Sequence, residues 1–350
     1  MPQATKTKKL NIKPALDKAL AVLSERNGEI LARRHGVGAE GERQTLEKIG
    51  NDYDITRERV RQIEEASYLK IRNSEQYELL EEAYGEVRAF LNENCGAASE
   101  DTLMEQLVTE SQRPYMALLL ALSNEFVKIK ESDDFKASWA SDKESAAAVK
   151  ALLKNTVKKI NKTGEPVDEE KLFSILDDVN ETGLLITENN VYSLLDISKK
   201  IQKGPFEKWG LAEWAEINPR GVRDKVFLVL ERHGDPLHFR DLAKKIDAAP
   251  FEEKNDKNTH PQTVHNELIK DDRFVLIGRG TYALADWGYM PGTVKDVIMN
   301  ILEKEGEPVE KDELIDKVLD QRLVQKNTIL LNLQNREHFQ RTDENKYYLA

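Results

Sequence analysis

Arg57, Glu58, Arg61 and Gln62 are the side chains in this 350-residue chain whose types and spacing most plainly suit recognition chemistry. Together with Glu65 they recur at i, i+1, i+4, i+5 and i+8, which places them on one side of a helix, while Val60, Ile63 and Ser67 fall on the other. One face can pack and the other can present guanidinium, carboxylate and amide groups to base edges, and a major groove admits such a helix N-terminus first. The flanking residues predict how this helix is held. Thr56 is a good N-cap, and Glu58 suits the positive end of the helix dipole. A preceding helix points Leu46 and Ile49 inward and is expected to end around Gly50. The polar stretch Asn51 to Asp54 then turns the chain, and Ile55 fills the angle between the two helices. Residues 45–72 are thus expected to form a helix-turn-helix.

The text of these helices resembles region 4 of the sigma-70 family, in Thr45-Leu46-Glu47-Lys48-Ile49-Gly50 and in TRERVRQIE from Thr56 to Glu64. The segment SERNGEILARRHG (24–36) is similar to that family's leading helix with its glycine cap, so the resemblance covers about residues 20–80. It implies recognition of an upstream promoter element. Arg57 and Arg61 would contact guanine edges or adjacent phosphates, Glu58 would accept from a cytosine amine, and Gln62 would reach a neighbouring base. Arg43, Thr45, Thr56, Arg59, Lys70 and Arg72 would anchor phosphates.

Composition is compatible with that reading once charge is divided along the chain. The net charge is −11, yet residues 1–75 hold 15 Lys and Arg against 12 Asp and Glu, whereas residues 76–350 hold 37 against 51. Attraction to DNA fades beyond about 10 Å at moderate salt, so a locally basic N-terminal part can bind while the acidic remainder stays away or faces protein. An apolar content of 39% suits several small domains better than one large core. No run approaches the roughly 18 apolar residues of a membrane span. The single cysteine, Cys95, excludes an internal disulfide.

Beyond residue 84 one pattern recurs four times, in NCGAASEDTLMEQL (94–107), KTGEPVDEEKLFSIL (162–176), RHGDPLHFRDLAKKI (232–246) and KEGEPVEKDELIDKV (304–318). Leu103, Leu172, Leu242 and Leu314 align at spacings of 69, 70 and 72 residues, which is domain length rather than solenoid length. Each copy ends in two short apolar-aromatic runs around a turn, a hairpin signal, with Trp139, Trp209, Tyr282 and Tyr347 or Tyr348 expected to pin the hairpin to the helices. Helices followed by a hairpin make a winged helix. The third copy resembles the HARE-HTH domain through FRDLAKKI, TVHNELIKDDRF and GRGTYALADWGY, which implies a winged helix of the kind seen in the RNA polymerase delta subunit, in chromatin proteins and fused to restriction-type enzymes.

The expected fold is therefore mainly α with small β-hairpin wings: a basic tail (1–19), the helix-turn-helix (20–80), winged-helix-like repeats at 84–140 and 146–216, a HARE-HTH-like repeat at 220–289 and a fourth repeat at 291–350. Ser141 to Ala148 and Glu216 to Arg220 are expected joints, and the KNDKNTHPQ insertion after Phe251 an exposed mobile loop. The presumed third helices of the first two copies lack cations beyond Arg113 and are expected to bind protein or brace neighbours. Copies three and four offer Gln262, His265, Asn266 and Arg279, and Lys326 and Asn327, as secondary nucleic-acid contacts. There is no GxxxxGK[ST] loop, GxSxG elbow or HExxH helix, and the histidines are not paired at helical spacing. No enzyme, cofactor, metal or small-molecule substrate is expected. The partners expected are promoter-like double-stranded DNA and RNA polymerase, in the cytoplasm at the nucleoid. The alternatives are a delta-like polymerase accessory that binds protein through its acidic repeats, and an accessory of a DNA modification or restriction system.

Overall fold

The computed structural model describes residues 9–38, 41–251 and 258–350. Residues 1–8 of the expected tail and the start of the KNDKNTHPQ insertion lie outside these. The chain forms two compact units, one of residues 1–203 with 209–212 and one of residues 204–208 with 213–350.

In the first unit, α1 (Lys13–Leu20), α2 (Glu25–His35), α3 (Leu46–Asp52) and α4 (Arg57–Arg72) lead through a 3-10 turn into α5 (Glu81–Glu93), β1 (Ala97–Ser99), α6 (Glu100–Leu107), α7 (Arg113–Leu122), β2 (Val127–Ile129) and β3 (Ser138–Ala140). They are followed by α8 (Lys143–Thr163), α9 (Glu169–Val179), α10 (Val191–Asp196), β4 (Ile201–Lys203) and β5 (Trp209–Leu211). The second unit contains α11 (Val222–His233), β6 (Leu237–His238), α12 (Phe239–Ala248), α13 (Pro261–Lys270), β7 (Phe274–Gly278) and β8 (Thr281–Leu284). It continues with α14 (Val294–Glu305), β9 (Val309–Glu310), α15 (Lys311–Gln321), α16 (Lys326–Leu333), β10 (Phe339–Arg341) and β11 (Lys346–Leu349).

The repeats are winged-helix-like, and one topology runs through them. A short strand ahead of the second helix pairs antiparallel with the last strand, giving the orders β1-β3-β2, β6-β8-β7 and β9-β11-β10. In the second repeat the corresponding strand shrinks to one bridge, Val167 to Trp209, beside the β4-β5 pair. The recurring glycine does the same task in the last three copies. Gly164, Gly234 and Gly306 cap the first helix in the left-handed region, at φ 72°, 80° and 67°. Trp139, Trp209 and Tyr282 are buried at the middle of their sheets, opposite Ala98, Val167 and Leu237. Of the two candidates in the fourth copy, Tyr347 takes this place opposite Val309, and Tyr348 instead donates its hydroxyl to exposed Gln340.

The helix-turn-helix does not stand alone. One hydrophobic core joins Ile12, Leu16, Leu31, Ile71 and Leu80 to Tyr84, Leu91, Leu103, Met116 and Leu119, so it runs through residues 80–84, where the sequence suggests a boundary. At its centre is α7, with Tyr115, Met116, Leu118, Leu119, Leu120 and Leu122 all buried. A helix apolar all round has to be covered on every side, and α1, α2 and α4 cover the face that a winged helix ordinarily leaves open. Polar contacts fix the join. Gln112 Oε1 accepts from the amides of Ile12 (3.1 Å) and Lys13 (3.2 Å) and so caps α1, while Arg72, the last residue of α4, donates to the carbonyls of Leu122 (2.7 Å) and Ala121 (3.1 Å) and so caps α7.

The second repeat is bound to the first in a similar way. Asp196, at the end of α10, accepts from Ser99 (2.5 Å), Thr102 (2.9 Å) and Lys136 (2.5 Å), and Lys136 N donates to Ile197 O at 2.9 Å. The joint expected at Ser141 to Ala148 is instead the capped start of α8, with Asp142 accepting from Ser145 N at 2.7 Å. In the second unit the third and fourth repeats are locked by Arg322, which is buried and donates to the carbonyls of Leu276 and Gly292, and by Leu323 N, which donates to Ile277 O at 2.8 Å.

If Arg72 serves as the cap of α7, Arg72→Ala should cost about 1.5–3 kcal/mol, the range for hydrogen bonds from a charged donor. Amide exchange should then show protection falling together in α4 and α7. Unchanged protection in α7 would contradict the shared core.

Candidate nucleic-acid interface

Helices α2 and α3 aim α4. Ile30, Ile49 and Val60 form a small fully buried cluster, with Leu46, Tyr53, Ile55 and Ile63 around it. α3 runs on to Asp52, beyond the stop expected at Gly50, because the glycine acts by close approach and not as a cap. A Cβ at Gly50 would stand 2.6 Å from the Ile55 carbonyl oxygen, so only glycine lets the turn come this near. Asp54, at φ 54°, then reverses the chain. Thr45 and Thr56 cap α3 and α4 by accepting from the amides of Lys48 (3.2 Å) and Arg59 (3.1 Å), which leaves each hydroxyl hydrogen free to donate outward.

A polar clamp behind the pair fixes its angle. Arg33 donates to Gln44 Oε1 (2.8 and 3.0 Å) and to Asp52, while Gln44 N donates to Arg33 O at 2.9 Å. Arg34 donates to Gln44 O at 3.0 Å and reaches Glu64 at 3.6 Å. Tyr68 donates to Glu64 (2.8 Å), and buried His35 lies with Nε2 2.6 Å from the Tyr68 oxygen. Since the tyrosine proton goes to Glu64, His35 is assigned as the Nε2–H tautomer. Burial pulls the His35 pKa down, against the opposing pull of Glu64. Burial alone would raise Glu64, but the His35 ring 3.7 Å away, the hydrogen bond from Tyr68 and the nearby Arg34 charge hold it below the ordinary value. These clamp residues were not read from the sequence, because their pairing depends on the crossing of α2 and α4 and leaves no periodic signal.

The outward face of α4 carries every side chain expected to read bases. Arg57, Glu58, Arg61 and Gln62 are all exposed, while Val60 and Ser67 are buried. In the free protein part of this face pairs with itself. Arg61 bonds Glu58 (2.7 Å) and also Glu65, which raises the guanidinium pKa and holds the Glu58 carboxyl below its usual value. Arg59 donates to Gln62 Oε1 at 3.1 Å. Arg57 has no hydrogen bond or ion pair among the described residues. An open hollow of about 630 Å³ lies at the helix start, lined by Gly50, Asn51, Asp54, Ile55, Thr56 and Arg59, and Asn51 and Asp54 were not read from sequence as part of the interface.

The expected phosphate anchors divide. Arg43, Thr45, Thr56, Arg59 and Lys70 are exposed, but the Arg72 guanidinium is half-buried and occupied by the α7 carbonyls. Among the secondary candidates, Gln262 and Asn266 are exposed on α13 and bonded to each other at 3.1 Å. His265 is drawn inward, its Nδ1 3.1 Å from the Tyr282 hydroxyl and its ring 4.7 Å from that of Phe239. Arg279 is exposed in the β7-β8 turn, and Lys326 and Asn327 in the first turn of α16. Among the described residues no group of acidic, histidine and cysteine side chains is placed to hold a metal ion, and no helix is long and apolar enough to cross a membrane.

Comparison with known proteins matches two stretches of this sequence to family models. Residues 19–73 match sigma-70 region 4. Residues 222–287 match the HARE-HTH domain, a helix-turn-helix domain whose name takes in ASXL and restriction endonuclease. Over 67 residues the chain is 40% identical to the RNA polymerase sigma factor SigA of Nostoc sp. and 39% identical to SigA1 of Synechococcus elongatus and SigA of Microcystis aeruginosa. That likeness takes in 19% of this chain and 16–17% of those sigma factors, so it concerns the helix-turn-helix and not the whole proteins.

Since His35 is neutral when folded and unfolded chains take up its proton near pH 6.5, it contributes stability above that pH, and this is lost as pH falls below it. An NMR titration should place the His35 midpoint below 6.5, with α4 protection factors declining through the same range in the native chain but not in His35→Gln. A midpoint above 6.5 would reverse the sign of the argument.

Proposed function

We propose that this protein is a sequence-specific DNA-binding transcription regulator, which holds a promoter-like duplex through α4 and acts with RNA polymerase. The observation that carries this reading is the outward face of α4: Arg57, Glu58, Arg61 and Gln62 exposed at the start of a helix whose back is packed on α2 and α3. The likeness of residues 19–73 to sigma-70 region 4 supports it. Arg57 is the side chain best prepared for a guanine edge, since it has no bond to break. Arg61 and Glu58 arrive as a pair, so Glu58 accepts from a cytosine amine while Arg61 turns to a phosphate or base beside it. Thr45, Thr56, Arg59 and the hollow at the helix start position the backbone.

The winged repeats have separate roles in this account. In the first two the third helix is covered, α7 by the helix-turn-helix and α10 by the first repeat, which makes them a brace. Residues 76–219 hold 16 Lys and Arg against 27 Asp and Glu, a balance that favours a protein partner such as polymerase over DNA. The exposed ends of α13 and α16, with Gln262, Asn266, Arg279, Lys326 and Asn327, offer the second unit as an additional backbone contact. The protein acts as an adaptor without catalysis, in the cytoplasm at the nucleoid. The high acidity of residues 76–219 also favours a second reading, a delta-like polymerase accessory whose α4 docks on protein.

Selection from randomised duplex DNA separates the two. Direct readout predicts that Arg57→Ala and Glu58→Ala each relax preference at particular base positions, by about 1–3 kcal/mol per position. If neither changes the selected sequence while both abolish co-purification with polymerase, α4 is a protein-docking helix.

A further inference from the structure

Helix α8 is a basic element in an acidic region. Six of the 16 cations in residues 76–219, namely Lys143, Lys150, Lys154, Lys158, Lys159 and Lys162, stand on this one 21-residue helix, which has a single acid, Glu144. Their arrangement is regular. Ala146, Val149, Leu152, Leu153, Thr156 and Ile160 are buried and define the inward side. Lys150, half-buried at the edge of that side, and exposed Lys154, Lys158 and Lys162 recur every fourth residue, a row about 18 Å long at 1.5 Å per residue.

An ordinary solvated helix face mixes signs, as α4 does with Arg61 between Glu58 and Glu65, and α15 with Lys317 and Glu313. The α8 row does not. Lys143, Lys150, Lys158 and Lys162 form no ion pair among the described residues, Lys154 only approaches Asp134 at 4.0 Å, and Lys159, off the row, is the one paired closely, with Asp178. Like charges four residues apart destabilise a helix, and on this row only Lys154, with Asp134 at 4.0 Å and the Phe135 ring at 5.9 Å, has a contact that offsets the repulsion. Ammonium groups on flexible stems suit a partner that offers many acceptors along a line and requires no fixed fork geometry. A row of about 18 Å matches about five base-pair steps of duplex backbone at 3.4 Å each.

We infer that the Lys150–Lys154–Lys158–Lys162 row of α8 is a second, sequence-independent contact for duplex DNA, taking backbone phosphates beside the site that α4 reads. This rests on the DNA reading of α4, which lies in the same compact unit. Duplex is favoured over an acidic protein surface because the row is evenly spaced and one-signed, and because a helix-turn-helix with few phosphate contacts gains most from an added electrostatic contact.

The test uses the full chain, a long duplex recovered by selection, and the same site trimmed to the α4 footprint. Native protein should show a steeper dependence of log K on log salt with the long duplex than with the trimmed one. The combined K150Q, K154Q, K158Q and K162Q variant should lose about 3.6 from the slope on the long duplex, at about 0.9 per phosphate contact, with base preference and trimmed-duplex binding unchanged. Arginine at the same four positions should keep the slope and shows that the helix tolerates replacement. Equal slopes for native protein on both duplexes, or an unchanged slope in the glutamine variant, overturn the row as a contact and leave α4 untouched. Native protein that binds neither duplex overturns this inference and the DNA reading together.

Discussion

The structure depends on α7 being covered on all sides. An apolar ten-residue helix cannot leave one face in water without exposing several large side chains, each worth about 1.5–3 kcal/mol when buried. In a free winged helix that exposed side of the third helix is where a ligand would approach. Here α1, α2 and α4 take the place of the ligand, and the helix-turn-helix becomes part of the core of the first repeat. The direction of α4 is therefore set twice, by Arg34 and His35 of the clamp at Glu64 and Tyr68 and by the Arg72 cap at its C-terminal end. Phosphate contact would require Arg72 to release the carbonyls of Leu122 and Ala121, which it caps in this structure.

Much of this was legible in the sequence because it rests on local rules. Periodicity alone separated Val60, Ile63 and Ser67 from the exposed face of α4, and the recurring glycine marked the repeats because a left-handed cap after a helix favours that residue. The aromatic of each hairpin was legible for the same reason, since strand alternation sends it inward. What escaped were the facts that need two elements at once. The extent of α3 was misjudged at Gly50, because a glycine reads as a helix stop whereas its task is to admit the Ile55 carbonyl. Ser141 to Ala148 read as a joint since serine, acids and alanines punctuate it, yet Asp142 is an N-cap and the alanines continue a helix. The inward turn of His265 escaped as well, because nothing in its own helix announces Phe239 or Tyr282.

Covering a third helix with the element before it is a general device in this chain, and it divides the repeats by function. In the first unit both third helices are consumed in this way, α7 by the helix-turn-helix and α10 through Asp196 on Ser99, Thr102 and Lys136. Their polar contacts are inward, and residues 76–219 are acidic overall except along α8. In the second unit Arg322 locks the last two repeats by a different route, through the wing and linker carbonyls, and this leaves α13 and α16 open. The position of the lock decides which helices remain available, although the four copies share one topology.

Charge follows the same division. A regulator acidic overall gains selectivity, because regions 76–219 and 290–350 repel the long stretches of nonspecific duplex that compete with a short site. That repulsion is useful only if the protein can still hold the correct site, so attraction has to be concentrated where the geometry of the bound duplex can meet it. The face of α4 supplies base contacts, but its own acids neutralise part of its charge. An unneutralised row elsewhere in the same unit restores the missing attraction without restoring indiscriminate binding, because it acts only on DNA already brought alongside by α4. Sequence preference and salt-sensitive affinity then reside in different helices, and substitutions can alter one while leaving the other intact.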